Sequence, residues 1–287
     1  MRNGHRWTCF AIKRLVMVTA LLMPGLVWAQ SHTLRIGLLP VLSPRVLLTN
    51  YQPLRAYLER ELRQPVEMVT AIDFRTFYLS TIAGEYDLVV TAPHFARLAQ
   101  LDAKYIPVAT YRSVNRAILI TAKDRPLRSL QELRGHSLAI PDRHAMVVTQ
   151  ALYWLREQGM HAGSDYTVVE TPSLNSAAYS VQSHQSVLAV MAPTGMKQMP
   201  DSIKDSIQVF ADLPALPSSL IWMANSRIAA EVPQIKLALL KLTTSIPEGA
   251  QFFQATGYIG LRDISAEEME ELDPYVAEAR GVLKSRP

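Results

Sequence analysis

The sequence predicts an α/β protein whose parallel β-sheets carry helices on their faces. Three short apolar runs follow one another early in the chain, Leu34–Leu38, Val66–Val69 and Asp87–Val90. Helical segments separate them, the first with its entry at Tyr51–Leu54 and the next beginning near Asp73 and stopping at Gly84. Strands that alternate with helices of about 10–15 residues are typical of βαβ units and hence of parallel sheets. Ligands of such sheets gather at the carboxyl ends of the strands.

The same alternation continues to the end of the chain. The further strands that we predict are Tyr105–Tyr111, Arg116–Thr121, Ser137–Ile140, Thr167–Glu170, Ser186–Met191, Gln208–Phe210 and Ser219–Met223. The further helices are Pro93–Ala99, Val147–Gln158, Ser176–Ser183, Pro233–Leu242 and a last one from Ser265 to about Ala279. Two segments, Ser129–Glu132 and Ser265–Glu268, have the spacing of a capping box, in which a hydroxyl and a carboxylate bind the free amides of a helix start.

The order of these elements predicts two α/β units between which the chain crosses twice, near Ser113–Arg116 and again near Ser218–Ile221. The first lobe would then be discontinuous, with residues 30–115 and 219–287, and the second lobe would be residues 116–218. Paired crossing strands form a hinge that lets two lobes close over a ligand. The alternative is one continuous doubly wound domain.

The first 29 residues have the pattern of an export signal. Leu15–Met23 is a short apolar core, and four basic residues precede it: Arg2, Arg6, Lys13 and Arg14. Val27-Trp28-Ala29 places small residues where a signal peptidase reads, which predicts cleavage after Ala29 and a periplasmic location. An uncleaved anchor is the alternative. Without the four basic residues the chain keeps 25 of its 29 Lys and Arg, which balance its 25 acidic residues.

The composition of the predicted mature chain argues against several functions. The balanced charge and the lack of a basic tract argue against nucleic-acid binding. The single cysteine, Cys9, lies in the signal, so neither a disulfide nor a cysteine-bound metal is expected. The histidines do not have metal-site spacing, and the sequence has no nucleophile elbow, phosphate loop or His-Glu-x-x-His motif. We predict a monomer without cofactor, metal or enzymatic activity.

A series of short motifs runs through most of the mature chain in a recognisable order. They are Arg35-Ile-Gly37, Tyr51-Gln-Pro-Leu54, Tyr57-Leu-Glu59, Gly84-Glu-Tyr-Asp-Leu88, Ala92-Pro93, Ala117-Ile-Leu-Ile120 and Ser129-Leu-Gln-Glu-Leu-Arg-Gly135. In order and spacing the chain resembles the periplasmic solute-binding proteins of phosphate, phosphite and phosphonate ABC transporters. The resemblance implies the two-lobed type II periplasmic binding fold, with a mainly parallel sheet in each lobe and a two-strand hinge.

The resemblance also implies where a ligand would lie. In that family a hydroxyl-rich turn opens the long helix of the second lobe, and its free amides and positive helix end hold a phosphorus oxyanion. The matching stretch here, Asp142–Val148, keeps the Asp but has His144, Ala145 and Met146 in place of the hydroxyls. Arg143 could give paired hydrogen bonds to a carboxylate or phosphate. The alternative is that Arg143 and His144 face solvent.

Other family positions correspond to Phe74, Asn115, Leu174 and Ser219, and His94 follows the end of a predicted strand. The ligand-binding residues that we predict are Phe74, Thr91, His94, Asn115, Arg116, Arg143, His144, Ala145, Met146, Asn175 and Ser219. This lining suits a small organic ligand with one anionic end, such as a phosphonate, a phosphate ester or a carboxylate, in the cleft between the lobes. We therefore expect the periplasmic solute-binding component of an ABC uptake system, which passes its ligand to an inner-membrane permease. The alternative is a ligand sensor that signals to a membrane sensor kinase or cyclase.

Overall fold

Eleven strands form two separate sheets in the computed structural model, which describes residues 32–113, 115–216 and 218–284. The strands are β1 (Leu34–Leu38), β2 (Val66–Thr70), β3 (Leu88–Thr91), β4 (Ile106–Tyr111), β5 (Ile118–Ala122), β6 (Ser137–Ile140), β7 (Thr167–Glu170), β8 (Leu188–Met191), β9 (Ile207–Asp212), β10 (Ile221–Ala224) and β11 (Leu261–Arg262). All of them belong to the unit that begins at Thr33. The predicted signal peptide, residues 1–29, lies outside the described residues.

Helices connect most of the strands. They are α1 (Pro44–Leu62), α2 (Phe74–Ile82), α3 (Pro93–Ala103), α4 (Met146–Glu157), α5 (Leu174–Gln182), α6 (Pro193–Gln198), α7 (Asp201–Lys204), α8 (Val232–Lys241), α9 (Pro247–Thr256), α10 (Ala266–Glu270) and α11 (Asp273–Lys284). Leu130–Leu133 and Ser226–Ile228 are short 3₁₀ turns. Within the described part of the chain, no helix is both long and apolar enough to span a membrane.

The first sheet has the strand order β11-β4-β10-β3-β1-β2, and the second has the order β7-β6-β8-β5-β9. Apolar side chains cover both faces of each sheet. The predicted α/β class with two sheets flanked by helices is confirmed. Each sheet is mixed rather than mainly parallel, because β10 and β5 pair antiparallel with both of their neighbours. These are the strands that follow the two crossings.

The chain passes between the sheets after β4 and again after β9, and described residues of the two passages are hydrogen-bonded to each other. The amide of Leu213 donates to the carbonyl of Ala117, and the amide of Leu216 donates to the carbonyl of Asn115, at 3.0 and 2.8 Å. Gln150 of α4 holds both passages, because its Oε1 accepts from the amide of Ala117 at 2.7 Å and its Nε2 donates to the carbonyl of Pro214 at 2.9 Å. The two lobes and their hinge motion remain a prediction.

Several local predictions need correction. Helix α1 begins at Pro44, so Tyr51 and Pro53 lie inside it rather than at its start. The Ser129 capping box is absent: Ser129 makes no capping bond, and the Glu132 carboxylate accepts instead from the amide of Arg128. The Ser265 capping box is confirmed, but its helix ends at Glu270 and α11 follows separately. Helices α6, α7 and α9 and the strand β11 were not predicted.

Candidate ligand-binding site

The carboxyl end of β3 and the start of α3 bring two predicted site residues together. Thr91 ends β3, and Pro93 begins α3 at a position where its missing amide hydrogen is not needed. His94 follows in the first turn, and both it and Thr91 are completely or almost completely buried. Oγ1 of Thr91 and Nε2 of His94 have no hydrogen-bond partner among the described residues. A buried polar atom in this condition costs about 1–3 kcal/mol, which a ligand could recover.

Helix α4, which packs against the second sheet, supplies a second group of residues. Met146, its first residue, is buried, and Ala145 before it makes no side-chain capping bond. Thr149 lies one turn further along, and residues three apart share a helix face. The Thr149 hydroxyl is buried and, like that of Thr91, has no partner in the described structure.

Direct contacts join the two groups. Nδ1 of His94 lies 3.0 Å from the sulfur of Met146. The rings of Phe74 and His144 stack with their centroids 5.7 Å apart and their planes 7° from parallel. We call this set the junction: Phe74, Thr91, His94, His144, Met146 and Thr149. All of these residues except Thr149 were predicted as site residues. The structure brings four of them into two contacts, Phe74 with His144 and His94 with Met146.

Asp142 orients the His144 ring. Its Oδ1 accepts from the His144 amide at 2.7 Å and contacts Nδ1 of the same residue at 3.0 Å. Burial alone would raise the pKa of Asp142, but the hydrogen bonds from His144 outweigh it and lower the pKa below the usual value. The carboxylate thus stays ionised and fixes the ring against Phe74.

Burial dominates the chemistry of His94. It lowers the pKa of His94 to about 3, although the backbone of His144 acts in the opposite direction. The imidazole is therefore neutral near pH 7. A proton on Nδ1 would give a hydrogen bond to the Met146 sulfur, a weak acceptor, and would leave Nε2 as an unoccupied lone pair.

The two arginines predicted at the site are paired with carboxylates. Nε of Arg143 lies 2.8 Å from Glu170, whose other oxygen accepts from the Arg143 amide. Nε of Arg116 lies 2.5 Å from Asp212. An anion bound at either guanidinium would have to compete with its carboxylate.

The remaining predicted residues lie at the crossings or on the second sheet. Asn115 is half-buried at the first crossing and Ser219 is buried at the second. Asn175 is exposed on α5, and no described contact links its side chain to the junction. Sequence reasoning missed Thr149 and also Ser218, whose buried hydroxyl has no partner in the described structure. The spacing from Met146 could have indicated Thr149, and Ser218 adjoins a residue that was predicted.

Helices also join the two sheets at one side of the junction. Tyr153 of α4 meets Tyr275 of α11 edge to face, with ring centroids 5.3 Å apart. Arg156 of α4 forms an ion pair with Glu278 of α11. In the described part of the chain, no three His, Cys, Asp or Glu side chains come together to hold a metal ion.

Comparison with known proteins decides the family. The model of the phosphonate ABC transporter periplasmic substrate-binding protein matches residues 36–269. The chain belongs to this family. Its members are substrate-binding components of transport systems and are periplasmic, and the predicted resemblance is thereby confirmed. No curated protein sequence matches the chain.

Solved structures share the fold of this phosphonate-family chain at low sequence identity. XAC2383 from Xanthomonas citri, solved bound to chloride, is 18% identical with a TM-score of 0.76, over 87% of this chain and 98% of that one. PhnD1 from Prochlorococcus marinus, in complex with methylphosphonate, is 13% identical with a TM-score of 0.70, over 88% and 99%. SsuA from Escherichia coli, an aliphatic sulphonate-binding protein, is 16% identical with a TM-score of 0.60, over 88% and 94%. The type II periplasmic binding fold is thus confirmed for this family member.

Proposed function

We propose that this protein captures a small organic oxyanion, of the phosphonate or sulfonate class, at the junction. It would release the ligand to an inner-membrane ABC permease without altering it chemically. The observation that carries the proposal is the set of unpartnered buried polar atoms drawn from both sheets, Thr91 Oγ1, His94 Nε2 and Thr149 Oγ1. Native proteins rarely leave such atoms unsatisfied, and a bound ligand is one explanation for three of them lying in one place.

The apolar surroundings support an organic ligand over inorganic phosphate. The Phe74 ring and the Met146 thioether flank the polar atoms, and Phe95 packs against His94 with ring centroids 4.1 Å apart. Ligand pockets typically combine such a lining with a few placed polar groups. A methyl or longer alkyl group on the oxyanion would contact this surface.

Ligand access requires the two sheets to separate at the crossings. The contacts between His94 and Met146 and between Phe74 and His144 would break, and the lobes at 30–115 with 219–287 and at 116–218 would rotate about the crossing segments. We propose a monomer that works in the periplasm, as its family does, after removal of residues 1–29. Hinge closure around a small ligand is a common motion in two-lobed proteins.

A thermal-melt panel tests the function. The panel contains methylphosphonate, methanesulfonate, a longer alkanesulfonate, acetate and inorganic phosphate. We expect at least one organic oxyanion to stabilise the protein by about 2.7 kcal/mol at 100 times its dissociation constant. Mass spectrometry should recover that compound unchanged after incubation. A panel that yields no stabilising oxyanion at any pH from 5 to 8 would contradict the proposal.

Threonine-to-valine substitutions separate a binding role from a structural one. Thr91→Val and Thr149→Val remove buried hydroxyls that have no partner, so we expect the ligand-free protein to become more stable by up to about 1 kcal/mol. The same changes should weaken binding of the stabilising oxyanion about 5- to 150-fold, because each removes a donor worth about 1–3 kcal/mol. Chemical denaturation and calorimetric titration measure the two effects.

Thr121→Val is the matched control. The buried Thr121 hydroxyl donates to the carbonyl of Val187 and accepts from the amide of Leu127, both at 3.0 Å. Its loss should destabilise the protein by about 1–3 kcal/mol and leave the oxyanion affinity unchanged. If all three variants behave alike, the hydroxyls at the junction have no special role.

A second candidate function is ligand sensing for a membrane kinase or cyclase. A histidine kinase sensor domain with the same fold has a TM-score of 0.52 at 16% identity, over 80% of this chain and 99% of that one. The Arg156–Glu278 and Tyr153–Tyr275 contacts would give a sensor a distinct closed surface. Deletion of the gene distinguishes the roles: a transport protein is needed for uptake of the radiolabelled solute, whereas a sensor is needed only for the transcriptional response to it.

A further inference from the structure

The two arginines predicted at the site already have negative partners. Arg116 pairs with Asp212 and Arg143 with Glu170, and these side chains are at least partly exposed. Among the residues whose burial the structure describes, no lysine or arginine is buried. The buried polar groups of the junction are two hydroxyls and one imidazole, all without charge at neutral pH.

An oxyanion that enters such a place leaves its hydration behind. A buried charge is tolerated only where hydrogen bonds and a counter-charge replace the water. The hydroxyls of Thr91 and Thr149 can donate hydrogen bonds, but a neutral donor leaves the net charge in place. Only an ionisable side chain can supply the missing positive charge.

His94 is the buried ionisable side chain of the junction. Its Nε2 has no partner among the described residues, whereas Nδ1 contacts the Met146 sulfur at 3.0 Å. A proton added at Nε2 would turn this atom into a charge-assisted donor aimed at the ligand, the stronger class of hydrogen bond. The ring nitrogen without a described partner is thus the atom that could donate a hydrogen bond to the anion.

We propose that the junction takes up an oxyanion together with one proton, and that His94 receives this proton at Nε2. The inference rests on the proposed function and adds the charge state in which the ligand is held. The proton comes from bulk water and returns to it when the ligand leaves. His94 is therefore a specificity-determining residue, which favours a singly charged oxyanion over a doubly charged one.

The other titratable groups around His94 leave it as the proton acceptor. Among the described ionisable groups, His144 in the loop before α4 is the one whose charge affects the pKa of His94. The His144 ring itself contacts the Asp142 carboxylate. Asp73, which caps α2, accepts from the amide of Thr76. The charged groups between α3 and α11 are paired with each other, Arg97 with Asp273 and Asp102 with Arg280.

The direction of the pH effect follows from linkage. Burial keeps His94 neutral down to a pKa of about 3 in the ligand-free protein, and a neighbouring oxyanion raises that pKa. Between the two values the complex holds one proton more than the free protein. Affinity therefore falls as pH rises, by up to tenfold for each pH unit, until the pKa of the complex is passed.

Methanesulfonate is the decisive probe, because it stays singly charged from pH 5 to 8 and contributes no titration of its own. Calorimetric titrations at each pH unit, in two buffers of different ionisation enthalpy, give both the dissociation constant and the number of protons taken up. We expect close to one proton per anion at pH 5 and a dissociation constant that rises up to tenfold per unit above it. His94→Asn should abolish the proton uptake and the slope.

His184→Asn is the matched control, since His184 lies outside the junction and asparagine tolerates its left-handed backbone, φ 58°. It should keep the wild-type slope. Binding of methanesulfonate by the wild type without proton uptake would overturn the inference while leaving the proposed function intact. Absence of methanesulfonate binding at pH 5, with another panel oxyanion stabilising the protein, would overturn it as well. Failure of every oxyanion in the panel would instead remove the proposed function.

Discussion

Replacing Gly249 with alanine is expected to lower the free energy of unfolding by about 3 kcal/mol, at the upper end of overpacking effects. A Cβ at this position would lie 2.1 Å from the carbonyl oxygen of Thr243. The carbonyl is part of the backbone and the Cβ is attached directly to it, so neither atom can rotate away. The displaced helix is α9, whose Phe252 and Phe253 are buried against the first sheet. The strain would therefore reach the core that positions β4 and β10.

Urea denaturation at pH 7 measures this effect, and Gly281→Ala serves as its control. Gly281 lies in α11, where an added Cβ would meet no described atom within 4 Å apart from the nearby backbone of its own helix. Alanine there should raise stability by about 0.5–1 kcal/mol, because it restricts the unfolded chain and favours helix. Equal changes in the two variants would show that the contact with Thr243 is not what requires glycine.

Acidification from pH 7 to pH 5 is expected to remove about 2 kcal/mol of stability through His94 alone. The unfolded chain binds a proton at this residue below its ordinary pKa of about 6.5, whereas the folded protein does not until about pH 3. Each pH unit in that interval lowers stability by about 1.4 kcal/mol. The stabilising effect of the neutral state is complete above pH 6.5 and declines as pH falls.

The difference between the wild type and His94→Asn isolates this effect, since other titrating groups are common to both. The urea midpoints of the two proteins should approach each other as the pH falls from 7 through 6 to 5. Over this range the wild type should lose about 2 kcal/mol more stability than the variant. Parallel curves for the two proteins would mean that His94 does not stay neutral in the folded state. Saturating methanesulfonate should reduce the acid loss, because the complex accepts the proton.

The sequence predicted elements whose signal is local and periodic. The alternation of apolar strands and helices led to the correct α/β class, and Ser265 with Glu268 forms the expected capping box. The same pattern failed at Ser129, where Glu132 binds the amide of Arg128 and the turn closes as a 3₁₀ helix. Strand β11 has only two residues and offers no period to detect.

The site was predicted as a set of positions but not as a set of interactions. Phe74, His94, His144 and Met146 meet because strand ends and the start of α4 converge, which topology implies. The pairing of Arg143 with Glu170 depends on register between β6 and β7, and that of Arg116 with Asp212 joins residues far apart in sequence. No local pattern shows which partner a long, flexible arginine will choose. Nor does sequence show which hydroxyls are left without one.

In the proposed hinge motion, the hydrogen bonds of Gln150 to both crossing passages would make α4 part of the hinge. Met146 and Thr149, two residues of the proposed ligand site, lie on the same helix, so one amide side chain would couple that site to the crossing passages. A change of the α4 face that admits a different ligand would then also change the stiffness of the proposed hinge. We expect variants with changed ligand specificity to have changed ligand residence times as well, even where the new ligand fits the site.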